Sequence, residues 1–214
     1  MRFFQFLLFF VPLLAFSQQT INDSIISNGV YRHFITYIPA INQPSESVPL
    51  LFNLHGRTAT SNGAMWNADF RDIADTANFI IVHPQGLIDS SGVTHWNYGQ
   101  SNVDDISFFN DLYAHLTVSL YNIDVDRVYV AGMSNGGSMS YSLACNLSDK
   151  IAAISCVTGS MTSYQYQSCN PSHPTPILHI HGTVDTLVPF SLSLSSIAFW
   201  RNYNNCNISA DIFQ

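Results

Sequence analysis

The strongest constraint on the fold of this 214-residue chain is the stretch Arg127–Cys145, RVYVAGMSNGGSMSYSLAC, where an apolar run passes through a glycine-rich turn into small residues. Its centre, Gly132-Met133-Ser134-Asn135-Gly136, fits G-x-S-x-G, which holds a serine on a sharp turn between a strand and a helix. The pentapeptide alone recurs by chance, but here a predicted strand precedes it and a predicted helix follows it. The stretch therefore predicts Ser134 as a nucleophile, with a purely structural turn as the alternative.

The rest of the chain alternates between β-branched or apolar runs and segments with helical spacing. The predicted strands are Tyr31–Ile38, Leu50–Leu54, Phe79–His83, Arg127–Ala131, Ile151–Val157 and Pro176–His181, and the predicted helices are Met65–Ala77, Asp104–Tyr121, Gly137–Asn146 and Ser195–Tyr203. This alternation predicts an α/β fold with a mostly parallel central sheet and helices on both faces. Ligands are then expected at the carboxyl ends of the strands.

Charge and composition exclude several classes of function. The formal net charge is -7 and Lys150 is the one lysine, so a nucleic-acid partner is not expected, because phosphate binding needs a basic face. Glu46 is the one glutamate, which excludes a glutamate pair for glycoside hydrolysis. Charged residues make up only 10% of the chain, which suits work on an uncharged substrate outside the cell.

The first residues predict export. Met1–Ser17 begins with Arg2, continues as an apolar run, and ends in small residues, as a cleaved signal peptide does. The alternative, a membrane anchor, needs a longer apolar run of roughly 20 residues. We therefore expect a signal peptide over 1–17, a hydrolase domain over 18–214, and a secreted or periplasmic protein that is not membrane-bound after cleavage.

Two further parts of a serine-hydrolase site follow from position in the chain. In α/β-hydrolases one oxyanion donor is the N–H after the nucleophile, here Asn135, and the other comes from the loop after an early strand, here near Gly56 or Arg57. The acid follows the serine, and Asp185 lies just past the late strand, although a turn-forming aspartate is the alternative. His55 precedes the serine and is expected to be structural rather than the base.

The histidines before Asp185 do not suggest a metal centre. His179 and His181 share one face of a predicted strand, where a His-x-His metal pair is conceivable, but no third ligand is evident. We predict no metal and no cofactor, and interpret both histidines as structural or near the site.

Several motifs in the same order resemble the secreted polyhydroxybutyrate depolymerase-like and feruloyl esterase-like α/β-hydrolases. They are LLFNLHG, HPQG, HWN with the following VDD, RVYVAGMSNGGSMSYSLAC and HIHGTVDTLVPF, between about Tyr31 and Cys206. The resemblance implies Ser134 as nucleophile, Asp185 as acid, and carboxylic esters as substrates: feruloyl or acetyl esters of plant polysaccharide, or polyester. It does not decide whether Trp96 lines the acyl pocket or packs in the core. The alternatives are a peptidase of the same fold and a binding protein on a hydrolase scaffold.

The resemblance also implies a later histidine as the base, in a glycine-rich segment. No histidine follows Asp185, and a strand is expected to start at Ile208–Phe213. We therefore expect the base beyond Gln214, a C-terminally truncated domain, and little or no turnover by the chain as printed.

The four cysteines allow three pairings, and the sequence does not choose among them. Cys169 and Cys206 lie in polar, loop-like sequence and are predicted to pair with each other. Cys145 and Cys156 lie in apolar segments and are interpreted as buried thiols.

Overall fold

A seven-stranded sheet forms the centre of the computed structural model, which describes residues 17–43, 45–118 and 121–207. The strands are β1 (Gln19–Ser27), β2 (Val30–Ile38), β3 (Val48–Leu54), β4 (Ile80–Pro84), β5 (Ile123–Met133), β6 (Ala153–Val157) and β7 (Ile177–Ile180). The helices are α1 (Ser61–Asn67), α2 (Arg71–Ala77), α3 (Asp105–Thr117), α4 (Asn135–Asn146), α5 (Ser163–Ser168) and α6 (Phe190–Tyr203).

The strand order is β1-β2-β4-β3-β5-β6-β7. The β1–β2 and β2–β4 pairs are antiparallel, and the pairs from β4 through β7 are parallel. The parallel strands bring the carboxyl ends of β3, β5, β6 and β7 to one edge of the sheet, where ligand sites of open α/β sheets form. The predicted α/β fold with a mostly parallel sheet is confirmed.

Helices cover both faces of the sheet, as predicted. On one face the side chains of Leu50, Phe52 and Val130 pack with residues of α3, α4 and α6, including Phe109 and Trp200. On the other face a smaller cluster joins residues of β2, β3 and β4 to α2: Tyr37, Leu51, Ala74 and Ile81. Because β3 and β4 carry apolar side chains towards both layers, LLF in β3 and IIV in β4 are continuous apolar runs.

Three predicted helices differ from the observed ones. The helix predicted over Met65–Ala77 is two helices, and in the turn between them the Asp69 carboxylate accepts a hydrogen bond from the Arg71 N–H at 3.0 Å. The helix predicted over Asp104–Tyr121 ends at Thr117, and Asp104 caps its start by accepting from the Ser107 N–H. The helix predicted over Ser195–Tyr203 begins earlier, at Phe190.

Two elements were not predicted. β1 pairs along its whole length with β2, but its polar composition hides the strand pattern. α5 begins with a capping box in which Thr162 and Gln165 exchange side-chain and backbone hydrogen bonds. That T-x-x-Q pattern is a helix-start signal that could have revealed α5.

No helix among residues 17–43, 45–118 and 121–207 is long and apolar enough to cross a membrane. The predicted signal peptide lies outside the described residues except for Ser17, and the strand predicted at Ile208–Phe213 lies wholly outside them. Both stay predictions.

The predicted Cys169–Cys206 disulfide is wrong, because Cys169 bonds to Cys145 and Cys206 is a free, exposed thiol. Cys169 is the residue at which α5 ends, and it lies against the last turn of α4, so the bridge joins two packed helices. Cys145 is therefore not a free thiol, whereas Cys156 is the buried free thiol that was predicted.

Removing the Cys145–Cys169 bridge is expected to lower the free energy of unfolding. Its sequence separation is 24, for which loss of the loop constraint costs about 3 kcal/mol. We therefore expect Cys169→Ser to lower the free energy of unfolding, measured by urea denaturation, by that amount, while Cys206→Ser, which replaces an exposed thiol, changes it by less than about 0.5 kcal/mol. Equal losses in both variants, with a mapped Cys169–Cys206 peptide, would contradict this pairing.

Candidate active site

Ser134 stands between β5 and α4 in a backbone conformation that side chains rarely adopt. Its φ is 55° and its ψ is -117°, and it is the N-cap residue of α4. Such conformations cost about 1–3 kcal/mol and persist where surrounding structure enforces them. Here the Ser134 N–H donates to the Val157 carbonyl of β6, and its own carbonyl accepts from Ser138 in the first turn of α4.

Glycines on both sides make this turn possible. A Cβ on Gly132 would lie 2.3 Å from the Gly136 carbonyl oxygen, and a Cβ on Gly136 would lie 2.6 Å from the carbonyl oxygens of Leu54 and His55. The start of α4 therefore touches the end of β3 directly. This is the steric reason for the G-x-S-x-G spacing predicted from the sequence, and it places Ser134 at the carboxyl edge of the sheet.

The two predicted oxyanion donors lie on the segments that meet at this edge. The built Cβ of Gly56 would lie 3.7 Å from the Ser134 Cβ, so the loop after β3 runs beside the serine. In the described part of the chain, the backbone N–H groups of Arg57 and Asn135 have no hydrogen-bond acceptor. Asn135 opens α4, where the helix dipole adds partial positive charge. Both groups are therefore available to a developing oxyanion.

The Asn135 side chain has a second role that the sequence did not reveal. Its Oδ1 accepts from the Trp96 backbone N–H at 2.7 Å, and its Nδ2 donates to the Trp96 carbonyl at 3.1 Å. The Trp96 indole N–H in turn donates to the His55 carbonyl at 2.9 Å. The loop after β4 is thus clamped to both the serine turn and the loop after β3.

This clamp decides between the two interpretations of Trp96. Its side chain is 1% exposed and packs against His55 and Phe109, so it offers no surface to a ligand. The acyl-pocket interpretation of Trp96 is therefore wrong, and the residue packs in the core and supports the site from behind.

His55 is structural, as expected, because both ring nitrogens are occupied. Nδ1 donates to the Gly56 carbonyl at 2.7 Å, and Nε2 accepts from the Gly86 N–H at 2.9 Å, which assigns the neutral Nδ1–H tautomer. Burial lowers the pKa of His55, which keeps the ring neutral. A neutral imidazole with hydrogen bonds at both ring nitrogens fixes the loop that carries Arg57. It cannot take a proton from Ser134.

Asp185 lies in a tight turn directly after β7. Its Oδ1 accepts from the N–H groups of Leu187 and Val188 at 2.9 and 3.0 Å, and its Oδ2 lies 3.4 Å from His181 Nε2. The backbone N–H groups of Val188 and Leu187 lower the pKa of Asp185, so the carboxylate is charged at neutral pH. Strands β5 and β7 flank β6, so the strand ends that lead to Ser134 and to the Asp185 turn lie about two strand spacings, roughly 10 Å, apart.

A chain of hydrogen bonds supports the Asp185 turn from inside. His181 Nε2 donates to the Val188 carbonyl at 2.8 Å, which leaves Nδ1 to accept from the Ser193 hydroxyl at 2.7 Å. His179 Nε2 lies 3.2 Å from that same Nδ1, and its own Nδ1 accepts from the Tyr141 hydroxyl at 2.8 Å. Burial lowers the pKa of His179. Both histidines are thus engaged beside the site, as the sequence suggested.

The described part of the chain brings no histidine into hydrogen-bonding contact with the Ser134 hydroxyl. Across residues 17–43, 45–118 and 121–207, no histidine nitrogen forms a hydrogen bond with the Ser134 hydroxyl. In the same residues no group of three metal-ligating side chains comes together. The expectation that the base lies beyond Gln214 concerns residues outside the printed chain and stays a prediction.

Sequence relatives of this chain are esterases by name. It is 28% identical over 193 residues to a bifunctional acetylxylan esterase/xylanase from Neocallimastix patriciarum, covering 90% of this chain and 27% of that protein. It is 29% identical over 172 residues to feruloyl esterase B from Piromyces equi, covering 78% of this chain and 31% of that one. The chain thus spans less than a third of the length of either relative.

Solved structures with the same fold carry similar names. An acetyl xylan esterase from Aspergillus awamori superposes with a TM-score of 0.66 at 17% identity, covering 91% of this chain and 82% of that one. A ferulic acid esterase from Anaeromyces mucronatus, solved with ferulic acid, superposes with a TM-score of 0.64 at 16% identity, covering 92% and 84%. At these identities the likeness establishes the fold, an α/β-hydrolase.

Family membership rests on the C-terminal half of the chain. Residues 108–214, which include Ser134 and Asp185, match the phospholipase/carboxylesterase family. The feruloyl-esterase part of the predicted resemblance is thus confirmed, while the polyhydroxybutyrate depolymerase part stays a prediction. The chain belongs to the phospholipase/carboxylesterase family of α/β-hydrolases.

Proposed function

We propose that this protein hydrolyses carboxylic esters through a covalent acyl-enzyme on Ser134. The observation that carries the proposal is the strained serine at the start of α4, between two segments whose Arg57 and Asn135 N–H groups are free of acceptors among the described residues. The Ser134 oxygen attacks the ester carbonyl carbon, and the two N–H groups stabilise the oxyanion of the tetrahedral intermediate. Each such donor is typically worth about 10²–10³ in rate.

The proton balance requires a base that the described residues do not supply. The base takes the Ser134 proton, gives it to the leaving alcohol, and then activates the water that releases the acid. Asp185 would hold this imidazole in the productive tautomer, because Oδ1 is occupied by backbone N–H groups and Oδ2 is left to accept a further hydrogen bond. An imidazole that donates to Oδ2 would fill this role.

The substrates that we propose are acetyl or feruloyl esters of plant polysaccharide, acted on outside the cell. The names of the sequence relatives and the low content of charged residues support this choice. The predicted signal peptide supports export, to the extracellular space or the periplasm. Polyhydroxyalkanoate-type polyesters are the remaining class that the sequence motifs suggested.

A substrate panel tests the function. The product of the complete gene should release acid from p-nitrophenyl acetate, acetylated xylan and methyl ferulate, and should leave the matching p-nitroanilides intact. Faster cleavage of the anilides would favour a peptidase. No turnover of any ester, by protein with native circular dichroism, would favour the alternative of a non-catalytic binding protein.

A further inference from the structure

A polar cavity opens beside the predicted oxyanion loop and is not used by the mechanism above. Its volume is about 550 Å³, within the range of roughly 300–1,000 Å³ usual for ligand sites. Its walls come from the segment after β3, from the turn around Asp89, and from the loop before α3 that carries Gln100 and Asn102.

Arg57 connects this cavity to the site. Its backbone N–H is a candidate oxyanion donor, while its guanidinium lines the cavity and donates to Asp89 Oδ2 at 2.5 Å and to the Ser91 hydroxyl at 3.2 Å. The Arg57 backbone therefore faces the oxyanion site while its side chain forms part of the cavity wall. A second part of the lining is also held in place, because His95 precedes Trp96, whose backbone is bound by Asn135.

The chemistry of the walls points to an uncharged, hydroxyl-rich ligand. Arg57 and Asp89 neutralise each other as an ion pair, so the cavity has no unpaired charge to attract an ionic group. Within the described residues, the side chains of Ser90, Gln100 and Asn102 are exposed and make no hydrogen bond, so their donors and acceptors are available. Ile88, 64% exposed, adds an apolar surface for C–H groups.

We propose that this cavity binds the sugar residues of the ester's alcohol part, as uncharged pyranose rings of a polysaccharide chain. A pyranose presents hydroxyls at its edge and C–H groups on its faces, which matches two free amides, one free hydroxyl and one isoleucine. An aromatic acyl group such as ferulate would need apolar walls, and Ile88 and Val103 are the only aliphatic side chains lining the cavity. This inference rests on the proposed esterase function.

The test separates recognition of the sugar from chemistry at Ser134. In the product of the complete gene, the double variant Gln100→Ala/Asn102→Ala is compared on acetylated xylo-oligosaccharide and on p-nitrophenyl acetate, which has no sugar. Loss of two hydrogen bonds to the sugar should lower kcat/KM on the oligosaccharide about tenfold, mainly through KM. The rate on p-nitrophenyl acetate should change less than twofold.

The matched control is Asn110→Ala, which removes an exposed amide on α3 outside the cavity and should leave both rates unchanged. An equal loss on both substrates, or no loss on the oligosaccharide, would overturn the proposal.

A binding measurement keeps the inference independent of turnover. Ser134→Ala protein is titrated calorimetrically with unesterified xylo-oligosaccharide, with and without the double substitution. Weaker binding with the double substitution supports the cavity even if the esterase proposal fails, whereas equal binding or none contradicts it.

Discussion

Replacing Ser134 by alanine is expected to lower kcat for ester hydrolysis by about 10⁵–10⁶-fold in the product of the complete gene. The substitution removes the oxygen that forms the acyl-enzyme, while the Arg57 and Asn135 N–H groups and the rest of the fold remain. Those donors alone leave a residual rate of about 10³–10⁴ over water. Rates on p-nitrophenyl acetate, measured under saturating substrate, give the comparison.

The matched control for this variant is Ser195→Ala, which removes an exposed hydroxyl on α6 far along the chain from the turn. It should keep the parent rate, and both variants should unfold at the parent temperature within a few degrees. If Ser134→Ala retained the parent rate, another residue would have to be the nucleophile.

Replacing Gly132 by alanine is expected to lower activity about 10²-fold or more by displacing the backbone rather than by removing a reacting group. The new Cβ would lie 2.3 Å from the Gly136 oxygen and 2.4 Å from its carbonyl carbon, which are backbone atoms that cannot rotate away. The serine turn must open, which moves Ser134 and the Asn135 N–H. Overpacking of this kind costs about 1–3 kcal/mol or more, and a 1 Å misplacement costs about 10² in rate.

Gly63→Ala in α1 is the control, because its Cβ would meet only ordinary contacts, the nearest at 3.5 Å. Alanine is the better helix former, so this variant should be unchanged or more stable by up to about 1 kcal/mol. Chemical denaturation and the esterase rate of both variants measure the contrast. A Gly132→Ala protein with parent stability and rate would show that the serine turn does not require glycine at this position.

The serine turn could be predicted from the sequence because its causes are local. The clash that reserves Gly132 for glycine involves Gly136, four residues away, and the strand and helix flank it directly. The Asp104 cap of α3 has an equally local cause, since its partner Ser107 is three residues on.

The features that the sequence did not reveal depend on distant partners. Trp96 could not be placed until Asn135, 39 residues later, was seen to bind its backbone. Asp105, in the first turn of α3, is buried in an ion pair with Arg32, 73 residues earlier, which no local pattern indicates. The disulfide was misassigned because nothing in the sequence placed the end of α5 against α4.

The serine turn is therefore predictable from the sequence, whereas the contacts that support it are less so. Asp185 was predicted from its order along the chain. The contacts of the His181 ring with Asp185 and Val188 could not be predicted, because they depend on how the turn after β7 folds back on His181. Gln100 and Asn102 belong to no recognisable sequence motif. A binding role for their free amides is suggested only by the cavity that they line together with Arg57.

Covalent labelling tests the central claim most directly, because it identifies the residue that acts as the nucleophile. The product of the complete gene is treated with a fluorophosphonate probe, digested, and sequenced by mass spectrometry. The account predicts a single phosphonylated residue, Ser134, with labelling lost in Ser134→Ala and retained in Ser195→Ala. A label on another serine, or native, ester-hydrolysing protein that resists the probe, would contradict it.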